Sequence, residues 1–211
     1  MIKSYMYSTY LRVRNRLSGS RISRLPFANR VDSFTLTRLK HTPRKVTIEG
    51  HTLYVDKLNS LDLSNNHLYN PTQTRLMKRI VTKGSTVIDL GTNIGYYTLL
   101  LAKLVGKTGK VYAFEPDPNN FALLQKNVTE NGNTNVVLEE KAVSNQNGER
   151  LLYRALHTNA ASRLQNPIYH TSHNWTPFLV TSISLDDYFR NSLESIEFLK
   201  MDAERAEPKV V

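Results

Sequence analysis

The sequence predicts an open α/β fold in which helices cover both faces of a mainly parallel sheet. Three short apolar stretches, at 86–90, 110–114 and 136–143, alternate with helical stretches at 95–105 and 118–131. A fourth apolar stretch, "IEFLKMDA", follows later in the chain. Strands that alternate with helices in this way form parallel sheets joined by right-handed crossovers.

Length and composition fit one domain with additions. The chain has 211 residues, 40% of them hydrophobic, and no run of about 18 apolar residues that could cross a bilayer. It has no cysteine, which excludes disulfides, thiolate nucleophiles and cysteine-based zinc sites. Neither a secretory signal peptide nor a metal-ligand spacing is recognisable. We therefore expect a cytoplasmic location and a site without a metal.

Residues 1–45 form a basic arm that carries the whole excess of positive charge. The arm has 11 Lys and Arg against one acid, Asp32, whereas the rest of the chain is balanced. Apolar residues recur at helical spacing between its arginines, namely Met6, Tyr10, Val13 and Leu17. Three interpretations stay open: an extension packed on its own domain, a peripheral contact with an anionic membrane, and an organelle transit peptide. Nucleic-acid binding is disfavoured because no recognisable reader fold accompanies the charge.

Residues 46–84 predict a β-hairpin followed by a helix. "VTIEGHTLYV" alternates apolar and polar residues on both sides of Glu49-Gly50-His51, which is typical of a hairpin. In the helix that follows, Asn70 is the predicted N-cap and Gly84 the predicted stop. The residues predicted to face inward are Leu76, Met77, Ile80 and Val81.

Residues 85–211 carry the repeated strand and helix pattern. Gly106 is predicted to end the first helix, Asp117 to cap the second and Gly132 to follow its end. Between the third strand and the last, "ERLLYRAL" and "FLVTSISL" predict two further strands and "SLDDYFRN" a short helix. "IEFLKMDA" is predicted to be the fourth parallel strand.

The turn after the first strand, "DLGTNIG", is predicted to hold a ligand. In open α/β sheets, ligands bind outside the carboxyl ends of the strands, near the point where strand order reverses. Gly91 permits backbone angles that residues with a Cβ avoid, and Gly95 lets the helix start close to the ligand. The N–H groups exposed at that helix end are expected to favour a carboxylate or a phosphate.

Glu115 predicts that the ligand contains a ribose. It ends the second strand, where an acid can accept the hydrogens of both ribose hydroxyls. NAD requires G-x-G-x-x-G so that the backbone can approach its pyrophosphate, but here Asn93 stands at the middle position and Gly95 comes one residue early. S-adenosylmethionine (SAM) carries a ribose without a phosphate, so the turn favours SAM. Simpler roles stay open, with Asp89 as a helix cap and Glu115 as the partner of a surface lysine.

Five segments, in order, carry a resemblance to a known family. They are "VIDLGTNIGYYTLLLAK", "VYAFEPDPNNFALLQKNV", "LEEKAVSN", "VTSISLDDYF" and "LKMDAERAEPKVV". Because of these five segments, residues from Val46 to the end of the chain resemble the FkbM-type methyltransferases. That family is a branch of the class I SAM-dependent enzymes. The resemblance implies a Rossmann-like class I sheet, SAM as cofactor, and methyl transfer, commonly to a hydroxyl of a sugar or natural product.

The resemblance also implies roles for individual residues. The residues expected to line the methionine end of SAM are Asp89, Gly91, Asn93 and Gly95. Glu115 would hold the ribose, and Lys141 and Ala142 would border the adenine. Asp202 and Glu204, after the fourth strand, would face a small-molecule or glycan acceptor and are candidate general bases. His157 is another candidate base, and a plain structural role stays open for each of the three.

Two departures from the family pattern bear on activity. The family reads D-x-E-G-x-E after the fourth strand, and this chain has Arg205 in place of the glycine. The family sheet has seven strands in the order 3-2-1-4-5-7-6, so we expect an incomplete sheet whose C-terminal strands are missing. We expect either that the chain is truncated at its C-terminus or that another chain covers the exposed edge of the fourth strand. Four functions stay open: an active O-methyltransferase, a non-catalytic SAM-binding remnant, a basic-arm scaffold and a nicotinamide reductase.

Overall fold

A computed structural model gives the fold of most of the chain from Lys45 onward. It describes residues 45–56, 61, 63, 69–155, 162–164, 175–191 and 195–202. Among the helices in these ranges, none has the length and apolar character that crossing a membrane requires. The basic arm lies outside the described residues except for Lys45, as do His157, Glu204 and Arg205.

The described elements alternate along the chain much as the sequence predicts. In chain order they are β1 (Lys45–Ile48), β2 (His51–Tyr54), α1 (Pro71–Ile80), β3 (Thr86–Leu90), α2 (Tyr96–Val105), β4 (Lys110–Phe114), α3 (Pro118–Glu130), β5 (Val136–Glu139), β6 (Ala142–Val143), β7 (Gly148–Ala155), β8 (Ser162–Arg163), β9 (Trp175–Ile183), α4 (Leu185–Phe189) and β10 (Phe198–Met201).

The predicted hairpin is confirmed. Strands β1 and β2 pair antiparallel, with Ile48 opposite His51. Glu49 and Gly50 form the turn between them with φ of 54° and 82°, the left-handed pair that a two-residue type I′ turn requires. Leu53 is 1% exposed, so one face of the hairpin belongs to the main core.

Helix α1 begins at its predicted N-cap but buries a narrower face than predicted. The side chain of Asn70 accepts a hydrogen bond from the N–H of Gln73 at 3.3 Å. The prediction that Leu76 and Ile80 point inward is wrong, because they are 54% and 48% exposed. The buried residues recur every three or four positions and form a stripe one residue wide, made of Thr74, Met77 and Val81. So narrow a stripe suffices because α1 packs mainly against one neighbour, α2.

Four parallel strands form the central sheet, in the order β5, β4, β3, β10. This order, with the first strand between the second and the fourth, confirms the predicted α/β class. The register aligns Met201 with Leu90 and Leu90 with Phe114. The carboxyl ends of β10, β3 and β4 therefore meet along one edge, and strand order reverses between β3 and β10.

Helices cover both faces of this sheet, because successive residues of each strand point to opposite sides. In β4, Val111 joins the core cluster that contains residues of α2 and α3. Its neighbour Tyr112 joins the cluster on the other face, with Tyr188 and Phe189 of α4. The ring centroids of Tyr112 and Phe189 lie 4.9 Å apart in an edge-to-face contact.

A second four-stranded sheet has the order β6, β9, β7, β8. It corrects the prediction of one third strand over 136–143, since β5 ends at Glu139 and β6 pairs with β9 instead. The polar run at 139–141 separates the two, with the ammonium of Lys141 folded back to 2.6 Å from the Glu139 carboxylate. The buried pair Ala142–Val143 then enters the second sheet.

Two asparagines of α3 hold the hairpin against the domain. Asn127 accepts a hydrogen bond from the N–H of Tyr54 at 2.6 Å and donates to its carbonyl at 3.1 Å. Asn131 does the same for Thr52, at 2.9 and 2.7 Å. The side chains thus bind the edge of β2 as a neighbouring strand would. Asn127 also donates to the carbonyl of Ile94 at 2.7 Å, in the turn after β3.

Candidate active site

A cavity opens at the carboxyl ends of β3, β4 and β10, next to the reversal of strand order. The structure brings together at this cavity six of the nine residues predicted for the site: Gly91, Asn93, Glu115, Lys141, Ala142 and Asp202. Asp89 and Gly95 lie outside its lining, and Glu204 lies outside the described residues. Further lining residues that the sequence analysis missed include Thr92, Tyr69, Tyr96, Tyr97 and Lys200.

The turn after β3 is closed by hydrogen bonds within the protein. Gly91 has φ of 68°, and the N–H groups of Gly91 and Thr92 both donate to the carbonyl of Phe114, at 3.0 and 3.2 Å. The N–H of Gly95 donates to the carbonyl of Thr92 at 2.9 Å. Strand β4 therefore fixes the shape of the turn from one side.

Asn93 completes this closure. It has φ of 53°, and its N–H donates to Oε2 of Glu115 at 2.7 Å. Its own Oδ1 accepts from the N–H of Ile94 at 2.8 Å. The protein therefore already uses the N–H groups of residues 91–95. That the N–H groups at the start of α2 favour an anion stays a prediction.

Gly95 and Asp89 shape the turn from behind its surface. Gly95 caps α2 with φ of 93°, and a Cβ there would lie 2.6 Å from Cδ1 of Leu124. Close packing against α3 therefore requires the glycine. Asp89 is fully buried, and its Oδ2 accepts a hydrogen bond from the hydroxyl of Thr98 at 2.7 Å. The acid thus links the end of β3 to the first turn of α2.

Glu115 is the buried acid of the cavity, at 4% exposure. Its Oε2 accepts from Asn93, its Oε1 accepts from the N–H of Asp117 at 3.0 Å, and the side chain of Asn120 also hydrogen-bonds it. Burial raises the pKa of Glu115 to about 7, although these hydrogen bonds oppose the rise. The carboxyl group is thus held in one orientation and titrates near neutral pH.

The second sheet supports this corner of the site through an ion pair. Arg154 of β7 donates from Nε and Nη2 to the two carboxylate oxygens of Asp117, at 2.5 and 2.6 Å. The side chain of Asp117 is 1% exposed and also caps α3 by accepting from Asn119. The bidentate pair therefore ties the N-terminus of α3 to the second sheet beside Glu115.

Beyond β5, the wall of the cavity is largely apolar. Ala142 is 2% exposed and is flanked by Val143 and Leu152. The cation that lines this side among the described residues is Lys141, whose ammonium is already paired with Glu139 at 2.6 Å. This wall offers van der Waals surface to a flat apolar group.

The wall formed by β10 is charged. Lys200 stands opposite Asp89 in the sheet, and its ammonium lies 3.1 Å from Asp89 Oδ1. The ammonium also donates to the carbonyls of Leu90 and Gly91, at 3.2 and 3.1 Å. Asp202 follows β10 and is exposed. A lysine inside the apolar strand "FLKM" is the signal by which the sequence could have revealed this group.

A tyrosine cluster adjoins the charged wall. Tyr69, Tyr96 and Tyr97 stand with ring centroids 5.0 to 5.9 Å apart. The hydroxyl of Tyr97 donates to Gln73 of α1 at 2.7 Å, and burial raises the pKa of that phenol. Within the part of the chain that the structure describes, no three His, Cys, Asp or Glu side chains are grouped as metal ligands.

The fold and the site define a class of protein. A parallel sheet with a glycine turn after its first strand and a buried acid after its second is the architecture of proteins that bind ribose-bearing cofactors. The family model of the methyltransferase FkbM domain matches residues 89–211, more than half of the chain. The chain therefore belongs to the FkbM methyltransferase family.

Two curated relatives are protein-L-isoaspartate O-methyltransferases. The chain is 34% identical to that of Methanococcoides burtonii over 58 residues, 28% of this chain and 29% of the relative. It is 28% identical to that of Caenorhabditis elegans over 102 residues, 46% of this chain and 45% of the relative. The chain thus spans less than half the length of these relatives. A crystal structure of a SAM-dependent methyltransferase from Aquifex aeolicus is 26% identical and superimposes with a TM-score of 0.31, covering 38% of this chain and 44% of that one.

Proposed function

We propose that the chain binds SAM in this cavity and acts as a SAM-dependent methyltransferase. The observation that carries the proposal is Glu115, a buried and rigidly oriented carboxyl group at the end of β4 in a family of methyltransferases. Beside the hydrogen bonds from Asn93, Asp117 and Asn120, this carboxylate lines the cavity and can accept from ribose hydroxyls there. When bound, SAM would supply an electrophilic methyl group.

The hydrogen bonds of the turn favour SAM over NAD. A pyrophosphate is bound through free backbone N–H groups at such a turn. Here the five N–H groups from Gly91 to Gly95 are engaged within the protein. SAM has no phosphate and does not need these donors.

A buried hydroxyl at the cavity also fits a polar ligand. Thr92 is 4% exposed, and its Oγ1 has no hydrogen-bond partner among the described residues. Leaving such a group unsatisfied costs roughly 1–3 kcal/mol. A ligand oxygen or amine beside Thr92 would remove this cost, so the residues of the turn fit the polar methionine end of SAM.

The acceptor is proposed to be a hydroxyl oxygen of a small molecule or glycan. The relatives named above are O-methyltransferases, which supports oxygen as the atom methylated. Asp202 lines the cavity after β10 and is exposed, so an incoming hydroxyl can reach it. We assign Asp202 the role of accepting the hydroxyl proton, with Glu204 as the second candidate for that role.

Isothermal titration tests the cofactor assignment. We expect heat on addition of SAM, none with micromolar NAD, and an affinity for SAM at least roughly tenfold lower in Glu115→Ala, because the variant loses both ribose hydrogen bonds. Glu149→Ala is the matched control, since Glu149 is an exposed acid of β7 away from the cavity. Equal affinities in the wild type and Glu115→Ala would refute the proposal.

Methyl transfer separates an enzyme from a protein that only binds SAM. The full chain is incubated with methyl-labelled SAM and a cell extract, and label is counted in protein, glycan and small-molecule fractions. We expect label in the glycan or small-molecule fraction, and a roughly 100-fold lower rate in Asp202→Asn, typical of a lost general base. Binding without label in any fraction would indicate the non-catalytic alternative.

A further inference from the structure

Lys200 is a largely buried cation on β10, an edge strand of the central sheet in the part of the chain that the structure describes. Its side chain is only 10% exposed, and its ammonium meets three oxygens, those of the Leu90 and Gly91 carbonyls and Oδ1 of Asp89. A buried ammonium is costly unless it is paired, so its position at a cavity requires an explanation. Pairing with Asp89 explains the charge, but Lys200 also lines the cavity.

Strand order places Lys200 at one end of a bound SAM. The cavity residues follow the order of the strands, from Lys141 and Ala142 beyond β5, through Glu115 after β4, to Lys200 and Asp202 on β10. With the ribose at Glu115 in the centre, adenine and methionine lie on opposite sides. The apolar wall at Ala142 suits the adenine, so the methionine extends toward β10.

The methionine carboxylate needs a donor at that end. The N–H groups of residues 91–95 are engaged within the protein. Of the described residues that line the cavity, two are cations, and Lys141, at the adenine end, is paired with Glu139. Lys200 donates two of its three protons to carbonyl groups, and its contact with Asp89 is an ion pair without a further hydrogen bond. The Tyr97 ring centroid lies 5.4 Å from the ammonium, and no described oxygen accepts the third proton, which is therefore left for a ligand.

The charges of this wall complement those of methionine in SAM. Among the described residues on this side, the cavity lining includes the cation Lys200 and the anion Asp202, while Asp89 lies buried behind Lys200. The methionine end carries one anion, its carboxylate, and two cations, its ammonium and its sulfonium. Pairing of opposite charges favours binding in one orientation, with the carboxylate at Lys200.

We propose that Lys200 binds the methionine carboxylate of SAM while its other two protons hold the carbonyls of Leu90 and Gly91. This inference rests on the proposed function. Lys200 would then be a cofactor-binding residue whose ammonium contacts both the ligand and the carbonyl groups of the turn. It predicts that the protein distinguishes SAM from decarboxylated SAM, which lacks only the carboxylate and retains both cationic groups.

Titration of the full chain with the two ligands tests the proposal. We expect the wild type to bind SAM roughly 10- to 100-fold more tightly than decarboxylated SAM, the range of a hydrogen bond to a charged group. Lys200→Met should bind both with similar affinity, and Lys200→Arg should retain part of the preference. Lys107→Met, at an exposed lysine outside the cavity lining, is the control and should keep the full preference.

The ratio of the affinities for SAM and decarboxylated SAM shows whether Lys200 contacts the carboxylate directly or only stabilises the turn. Lys200→Met also deprives Asp89 of its cation, which disturbs the turn for both ligands equally and leaves the ratio unchanged. An unchanged ratio in a folded Lys200→Met variant would overturn the proposal. A wild type that binds both ligands equally would overturn it without any variant, while SAM binding itself stands. No binding of SAM to the wild type would instead refute the proposed function.

Discussion

At the scale of single residues, Glu115 makes ligand binding at the cavity depend on pH. Its pKa is raised to about 7, first by burial and further by the nearby charge of Asp117, while hydrogen bonds from Asp117, Asn93 and Asn120 act against the rise. Ribose hydroxyls donate to a carboxylate more strongly than to a neutral acid. Binding of SAM is therefore coupled to loss of a proton from Glu115.

The affinity for SAM is predicted to rise with pH across the neutral range. Below pH 7 the ligand must displace a proton from Glu115, which lowers affinity by up to about tenfold per pH unit. Titrations at pH 6 and pH 8 measure the change. Glu115→Gln, whose side chain stays neutral, should show a flat profile, and an equally flat wild type would contradict the assignment.

The same carboxyl group predicts a pH dependence of stability. The folded pKa of Glu115 is about 7 and the ordinary value is 4.5, so the folded state binds this proton more tightly than the unfolded state. Stability from this residue is therefore fully present below pH 4.5 and is lost as pH rises through 7, by about 3 kcal/mol. Urea unfolding of the wild type and Glu115→Gln at pH 5 and pH 8 checks the sign. A difference between the two proteins that does not change with pH would exclude this coupling.

At the scale of elements, two asparagines of α3 differ in what they hold in place. Both hold the hairpin, and one of them also holds the turn at the cavity. Asn127 and Asn131 bind the edge of β2 in the same way, but only Asn127 reaches the carbonyl of Ile94. Alanine at either position should lower the free energy of unfolding by roughly 2–3 kcal/mol, about 1 kcal/mol per hydrogen bond. Only Asn127→Ala should weaken SAM binding, and equal weakening by both variants would contradict the distinction.

Two glycines in the left-handed conformation give a second matched pair. Gly95 begins α2 with φ of 93°, and Gly132 follows α3 with φ of 64° in the hydrogen-bond pattern of a Schellman motif, so alanine at either costs about 1–2 kcal/mol of backbone strain. At Gly95 the new methyl group also overlaps buried Leu124, whereas at Gly132 nothing lies within 4 Å. Gly95→Ala should therefore lose roughly a further 1–3 kcal/mol in urea unfolding. Equal losses would show that close packing of α2 and α3 is not what requires Gly95.

Elements with marked ends were predictable from the sequence. The bounds of β3 and β4 match the prediction, and α2 and α3 match within one residue, because glycine, aspartate and proline mark their ends. The inward face of α1 was not predictable, since Leu76 and Met77 are equally apolar and only the packing of α1 against α2 selects between them. The end of β5 at Glu139 was not predictable for a similar reason. Ala142 and Val143 belong to the second sheet, but no turn residue in the sequence marks the change.

At the scale of the whole molecule, the part of the site that is local in sequence was predictable. The unit formed by β3, α2 and β4 contains Gly91, Asn93 and Glu115. Because β3 and β4 are neighbours in the sheet, the spacing of these residues in the sequence is enough to predict that the turn and the acid meet. Lys200 was missed because its partner Asp89 lies far earlier in the chain, and only the pairing of β10 with β3 joins them. The β10 edge not facing β3 pairs with no other described strand, so cover by another chain stays a prediction.

A crystal structure of the full chain with S-adenosylhomocysteine, the demethylated product of SAM, tests the central claim most directly. We predict both ribose hydroxyls within hydrogen-bond distance of the Glu115 carboxylate, the adenine against Ala142 and the amino-acid end toward β10. An adenosyl group bound elsewhere, or bound in the cavity with its ribose away from Glu115, would contradict the account.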